Sequence, residues 1–533
     1  MQRPESSGVR RGLILLLAIA AEYLILSVSF DAQLWLRHVG LEGPLGSIKL
    51  VGPGVLAAIA GVFALGGSRF LKTLAPLAEA QPSPRVQRAL LAAHVAAFGA
   101  LYALSFHIFV PPFTTDAQPL AWFGGWAALG AITLGLLVSA FIDITAIGRL
   151  LAQHAKLVAL AVVLTVLAFQ AGALSSMFWN ATSGPMLRVL GAATQTMFED
   201  GFVETDTRIL GTSRFAIEIA PACSGYEGIG LIVVFLSGFL FMSRAQLRMP
   251  NALVVVPMGV VLVYAVNLVR IMALLAFGHF VSPTIAVAGF HAYAGWILFC
   301  AVALALVYWT DRRFSTERTA EARSLDTATT AYLGPLLALI ATSLITGLFA
   351  TDIDLLYFAR SIAALAVLYA FRSHYAGLLA RPSLLSLVIG VVIAGMWMYV
   401  VKPPADGVSP LATALETLTP ASRVLWLTGR LFGFIVIAPI VEELAFRGYV
   451  MRRVQARDFE ALPLERWGVP GVALSSLMFG ALHGSFTAGA LAGLLLAVAA
   501  IHRGKLIDAI AAHAVANLVL GVVGLARGAY WLW

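Results

Sequence analysis

Apolar runs of about twenty residues alternate with short polar turns along the whole chain. The runs lie near 12–30, 48–67, 88–109, 120–142, 155–175, 226–243, 251–277, 288–309, 331–350, 355–371, 383–401, 424–446, 469–484, 487–501 and 506–526. A helix of ~20 apolar residues crosses a hydrocarbon core about 30 Å thick and satisfies its backbone amides within the segment. The pattern predicts an all-α polytopic integral membrane protein of about fifteen transmembrane helices. One stretch departs from it. Residues 176–222 are more polar and are read as a non-cytoplasmic loop. Within that loop, "RFAIEIA" sets Phe215, Ile217 and Ile219 against small or polar neighbours, the period-two alternation of a short strand.

Composition agrees. Of 533 residues, 60% are hydrophobic and 12% charged, against about a quarter charged in soluble domains. Mean hydropathy is +0.90. The net charge of +8 does not mark a nucleic-acid partner, because Lys and Arg sit in short turns between apolar runs. Arg3, Arg10, Arg11, Arg69, Lys72, Arg85, Arg88, Arg149, Lys156, Arg244, Arg248, Arg312, Arg313, Arg318 and Arg323 fall in turns on one side. That excess predicts a cytoplasmic N-terminus. No small-residue cleavage site follows the first run, which is read as a retained helix with Glu22 facing protein. The polar stretch "TDRRFSTERTAEARSLDTATT" predicts a cytoplasmic linker, 311–330, between two helical bundles, 1–310 and 331–533. Two cysteines, Cys223 and Cys300, exclude a disulfide framework, and Cys300 lies deep in an apolar run.

Cys223 has a different setting. The stretch "EIAPACSGYEG" places it after the predicted strand and at the mouth of an apolar run. The loop-charge topology puts Arg270, in "NLVRIMALLAFG", toward the outer end of the next span, and His291, in "GFHAYAGW", at the outer start of the one after. A helix N-terminus, a cation or a histidine raises the thiolate fraction of a cysteine. An arginine stabilises a developing oxyanion, and a histidine moves protons to and from a leaving amine. Each residue alone has a plainer reading: Cys223 as a small packing residue, Arg270 snorkelling to the interface, His291 as an interfacial histidine with His279 as a competing neighbour. Together they form a set suited to acyl transfer. "ACSGYEGIG", "NLVRI" and "HAYAGWILF", in this order, resemble the signature of the exosortase/archaeosortase family over roughly residues 10–310. The resemblance implies a cysteine transpeptidase of the bacterial inner membrane with its site facing the periplasm. Its partners would be exported proteins bearing a C-terminal sorting signal, a motif such as Pro-Glu-Pro followed by a transmembrane tail. Cys223 would form a thioester, assisted by Arg270 and His291.

The C-terminal half carries other chemistry. "APIVEELAFRGYVMRR" places Glu442 and Glu443 in an apolar run, with Arg447 four residues after Glu443 and able to pair with it. "FGALHG" then supplies His483, and "HAVANL" puts His513 and Asn517 on one helical face. Ionisable groups within spans are functional-site candidates by default. A desolvated carboxylate can act as a base toward water, and histidine and amide donors can hold an oxyanion. The plainer reading is an ion-paired structural network. Two histidines and a glutamate are also a zinc set, but the His-Glu-x-x-His spacing is absent, so no cofactor is expected and zinc ranks second. "EELAFRG", "FGALHG" and "HAVAN" resemble successive motifs of the CPBP intramembrane protease family, relatives of the CAAX-processing endopeptidases, over about 380–530. The resemblance implies that Glu442 with His483 activates water, that His513 and Asn517 hold the oxyanion, and that Glu443 and Arg447 brace the site.

The chain thus reads as a fusion of two membrane enzymes, similar to the exosortase E/protease type, which implies substrates with a Val-Pro-Glu-Ile-Asp-like signal. The rival readings are a transporter or lipid flippase with ionisable groups along a pathway, and a non-catalytic scaffold.

Overall fold

The computed structural model describes residues 4–30, 32–40, 58, 61–62, 66, 73, 82–113, 118–219, 226–244, 246–316, 320–378, 380–403, 409–456 and 458–533. The all-α expectation holds: apart from three short strands, the regular elements are helices. The count of fifteen spans is not confirmed. Among the described residues, seven helices are long and apolar enough to cross a membrane, or eight if Thr145–Gln153 and Ala155–Leu167, bent by 76°, form one span. Six more apolar stretches of 10–17 described residues add to these, two of them within longer helices, Pro4–Ser29 and Tyr226–Ser243. The predicted run at 48–67 lies almost entirely outside the described residues.

The helix boundaries follow local chemistry. Ser83, Asp143, Ser383 and Thr419 each cap a helix by accepting from a backbone amide of the first turn. Proline occupies the first turn of Pro84–Phe109 and Pro420–Phe432, where its missing amide costs nothing.

The chain divides into two compact units that interleave sequence segments: 1–161, 380–402 and 446–516 in one, and 162–379, 403–445 and 517–533 in the other. In the first, Pro4–Ser29 packs on Val469–Ala481 so closely that a Cβ on Gly12 would meet Val469 Cγ2 at 2.2 Å. Glu22 faces protein, as expected: its Oε1 lies 2.6 Å from His94 Nε2, and His94 Nδ1 is 3.1 Å from the Thr133 carbonyl, so one buried imidazole ties three helices.

In the second unit the segment read as a loop from 176 is helical to Met197, because Ala155–Met197 runs on for 43 residues, longer than a membrane crossing needs. The sheet then follows as β1 (Phe202–Glu204), β2 (Ile209–Gly211) and β3 (Ala216–Glu218), antiparallel in that order. The predicted alternation is real: Phe215 and Ile219 are buried against Ile271, Leu274 and Leu275 of Val255–Phe280, while Ala216 and Glu218 are exposed. Phe215 seats on Gly278, where a Cβ would come within 2.1 Å of its ring.

Candidate active sites

Two residues of the first constellation meet. Arg270 lies on Val255–Phe280, and His291 opens His291–Phe314 directly after a π-helical turn, Ala286–Phe290. Arg270 Nη2 is 3.5 Å from His291 Nδ1, and Arg270 Nη1 donates to Asn267 Oδ1 at 3.2 Å. Arg270 Nε is buried with no hydrogen-bond partner among the described residues, so the guanidinium retains donor capacity. The group lines a cavity of about 260 Å³. Asn267, Arg270 and His291 supply its polar wall, and Leu231, Val263, Leu298 and Phe299 its apolar one. Gly289 permits the approach of the π turn to the next connection, since a Cβ there would sit 2.5 Å from the Leu348 carbonyl oxygen. His279 is not a rival for the site: its Nδ1 is 2.8 Å from Thr212 Oγ1, holding the sheet to the helix end. Cys223 lies outside the described residues. Asn267 was missed from sequence, although its position one turn before Arg270 on the same helix is a readable signal.

The second constellation is distributed over both units. In the unit containing 403–445 and 517–533, Glu442 and Glu443 end Ala438–Glu443, a short α segment between two π-helical ones, Gly433–Ile437 and Leu444–Val450. Such π segments recur at functional sites because they leave carbonyls outside the regular ladder. Phe434 O, in the first of them, accepts from Asn517 Nδ2 at 2.7 Å. Glu442 and Asn517 are buried, and Glu443 is fully so. By sequence distance the two glutamates fall near the middle of the stretch from Arg430 to Arg452, which at ~1.5 Å per residue crosses about 30 Å.

In the unit containing 446–516, Arg447 is fully buried and donates through Nη2 to the Gly493 carbonyl at 2.7 Å, with its guanidinium 4.5 Å from the Phe479 ring centroid. The same ring lies 4.4 Å from His483 and 5.5 Å from His513, so one aromatic side chain organises the arginine and both histidines. His483 Nδ1 is 2.7 Å from the Phe479 carbonyl, which can only accept, so Nδ1 is the donor of this bond. Gly493 makes the arginine bond possible: a Cβ there would lie 2.9 Å from Ser476 Cα and 3.2 Å from Arg447 Nη2. Phe479 was visible in "FGALHG" but not weighted as a site residue. Among the described residues no three His, Cys, Asp or Glu side chains cluster as metal ligands.

A protein-family model described as "Rce1-like: Type II CAAX prenyl endopeptidase Rce1-like" matches residues 424–519. No curated protein and no solved structure matched the chain. The family match begins just before the π-helical segments and ends just after Asn517, so it includes Glu442, Glu443, Arg447, His483, His513 and Asn517. The C-terminal part of the chain is therefore similar to CAAX-type membrane endopeptidases.

Proposed function

We propose that the C-terminal region is an intramembrane endopeptidase. The observation that carries this reading is the coincidence of the family match at 424–519 with two glutamates at mid-span and two histidines set on one aromatic ring. On this reading Glu442, with His483, takes a proton from water, and the resulting hydroxide adds to the scissile carbonyl. His513 and Asn517 donate to the oxyanion, and collapse releases an amine and a new carboxyl terminus. Glu443 and Arg447 hold the helix in place. The test uses the full chain in vesicles with a membrane-anchored peptide: Glu442→Gln should lower cleavage by about 10²–10⁴-fold. Cleavage at the wild-type rate would refute the assignment.

A second reading is favoured by a separate observation, the approach of Arg270 to His291 within one cavity. We propose that Cys223, Arg270 and His291 form an exosortase-like transpeptidase that cuts C-terminal sorting signals through a thioester. This centre would face the periplasm of a bacterial inner membrane, with the N-terminus cytoplasmic. Attack on the thioester by an amine, water or a lipid then takes the acyl group and returns the thiol. Incubation with a tail-bearing protein should leave a hydroxylamine-labile adduct on Cys223, and Cys223→Ala should abolish it. Processing that survives Cys223→Ala would favour the transporter or scaffold readings of this half. With both centres in one membrane, we propose that the endopeptidase clears the anchored remnant left by the first cut.

A further inference from the structure

A third polar cluster, in neither candidate centre, lies at the start of Phe358–Ala370. Tyr357 immediately precedes Phe358–Ala370, and its ring has two guanidiniums close by: Arg360 at 4.7 Å and Arg430 at 4.6 Å from the centroid. Arg430 comes from Pro420–Phe432 and also lies 5.8 Å from the Phe434 ring. The two cations are thus no more than about one Debye length apart (~10 Å).

The nearby carboxylate does not balance both charges. Asp354 accepts from Arg360 Nη2 at 2.6 Å, from Thr346 Oγ1 at 2.6 Å and from the Leu356 amide at 3.0 Å. Trp426 Nε1 fixes the same turn by donating to the Asp354 carbonyl at 2.7 Å. Asp354 is therefore committed to Arg360 and its own loop. Among the described residues Arg430 has no carboxylate within ion-pair distance, and Arg360 Nε is buried with no hydrogen-bond partner. The Arg430 guanidinium, without a carboxylate partner among the described residues, and the unpartnered Arg360 Nε are left beside an aromatic ring.

Depth narrows the ligand. Arg430 precedes an apolar stretch that reaches Arg452 and Arg453, a separation that matches the hydrocarbon thickness at ~1.5 Å per residue. Arg430 and Tyr357 therefore stand at a membrane boundary, the level at which tyrosine and tryptophan gather and lipid phosphates lie. A lone cation there meets phosphate oxygens, and the planar guanidinium binds them through paired N–H donors.

We propose that Arg430, with Arg360 and Tyr357, forms a binding site for a phosphate oxyanion, supplied by the headgroup of an anionic phospholipid. The bound phosphate would offset the repulsion between the two guanidiniums and pin the helical run, Pro420–Arg453, that carries Glu442 and Glu443. The site is independent of either catalytic assignment.

The test uses the full chain, purified in detergent and stripped of lipid, and measures its thermal midpoint against added phosphatidylglycerol and, separately, inorganic phosphate at the same phosphate concentration. Phosphatidylglycerol should raise the midpoint of the wild type, with an apparent affinity about tenfold or more above that of Arg430→Gln. Arg430→Lys, which keeps the charge and loses the planar fork, should fall between. A response to phosphatidylglycerol alone assigns the phosphate to lipid, whereas an equal Arg430-dependent response to inorganic phosphate assigns it to a soluble ion. Identical phosphatidylglycerol affinity in wild type, Arg430→Gln and Arg430→Lys would overturn the proposal.

Discussion

Arg447 and Arg270 show two ways of keeping an arginine within a membrane span. Arg447 is fully buried, bonded to the Gly493 carbonyl and lodged on Phe479. Arg270 is partly buried, held by Asn267 and His291, and keeps an unused Nε beside a cavity. The two settings differ in what surrounds them: protein encloses Arg447, whereas Arg270 lines a cavity. Arg270→Lys should therefore slow thioester formation at Cys223 by about 10²-fold, because a single ammonium cannot reproduce the fork; quenched-flow trapping of the adduct reads this directly. Two residues outside the spans give pH signatures. Asp200 accepts from the Ser213 hydroxyl and, at 2.9 Å, from its amide, and these bonds hold its carboxyl below the usual range. Its contribution to the strand region is present above about pH 4 and is lost as the pH falls below that. Ser213→Ala should shift the acid limb of unfolding upward. Tyr375 donates to the Ala331 carbonyl, and burial, aided by Tyr332, pushes its phenol up to about 12. Its stabilising effect is complete below the ordinary value of 10.0 and is lost as the pH rises toward about 12. A difference titration of phenolate absorbance against Tyr375→Phe isolates this group.

At the scale of elements, close backbone approaches position the site residues. Gly289→Ala would force a Cβ against the Leu348 carbonyl and displace the turn that launches His291. The expected loss is about 1–3 kcal/mol of stability, read by denaturant unfolding, together with weaker thioester formation. Gly493→Ala should act similarly on Arg447, with the Ser476 backbone unable to yield. Much at this scale was legible beforehand. The alternation of Phe215, Ile217 and Ile219 gave β3, and the apolar runs gave most helix cores. The π-helical segments flanking Glu442 and Glu443 were not, since nothing in "RLFGFIVIAPIVEELAFRGYV" distinguishes a π turn from an α turn by polarity. The continuation of Ala155–Met197 past residue 176 was hidden because polar residues in a helix beyond the membrane look like loop. His279 and His291 could not be separated by sequence, because both sit at a helix end; Thr212 claims one of them only in three dimensions.

At the scale of the whole molecule, the apolar composition and the turn charges announced a membrane protein, and the motifs in 424–519 anticipated the family match. The interleaving of segments into two compact units was beyond sequence reading, because helix order does not specify which helices share a unit. The docking of Pro4–Ser29 on Val469–Ala481 joins the chain's first helix to one in the matched region, and it rests on Gly12, a residue without chemistry of its own. Gly12→Leu should therefore reduce endopeptidase activity together with thermal stability, whereas Cys223→Ala should leave both unchanged. The central claim, that the region around Glu442 hydrolyses peptide bonds with water, is tested most directly by oxygen labelling. Full-length protein would cleave a membrane-anchored peptide in ¹⁸O water, with Cys223→Ala and Glu442→Gln run in parallel. The account predicts label in the new carboxyl terminus for wild type and Cys223→Ala and almost no product for Glu442→Gln. Labelled product at the wild-type rate from Glu442→Gln, or its loss in Cys223→Ala alone, would contradict it.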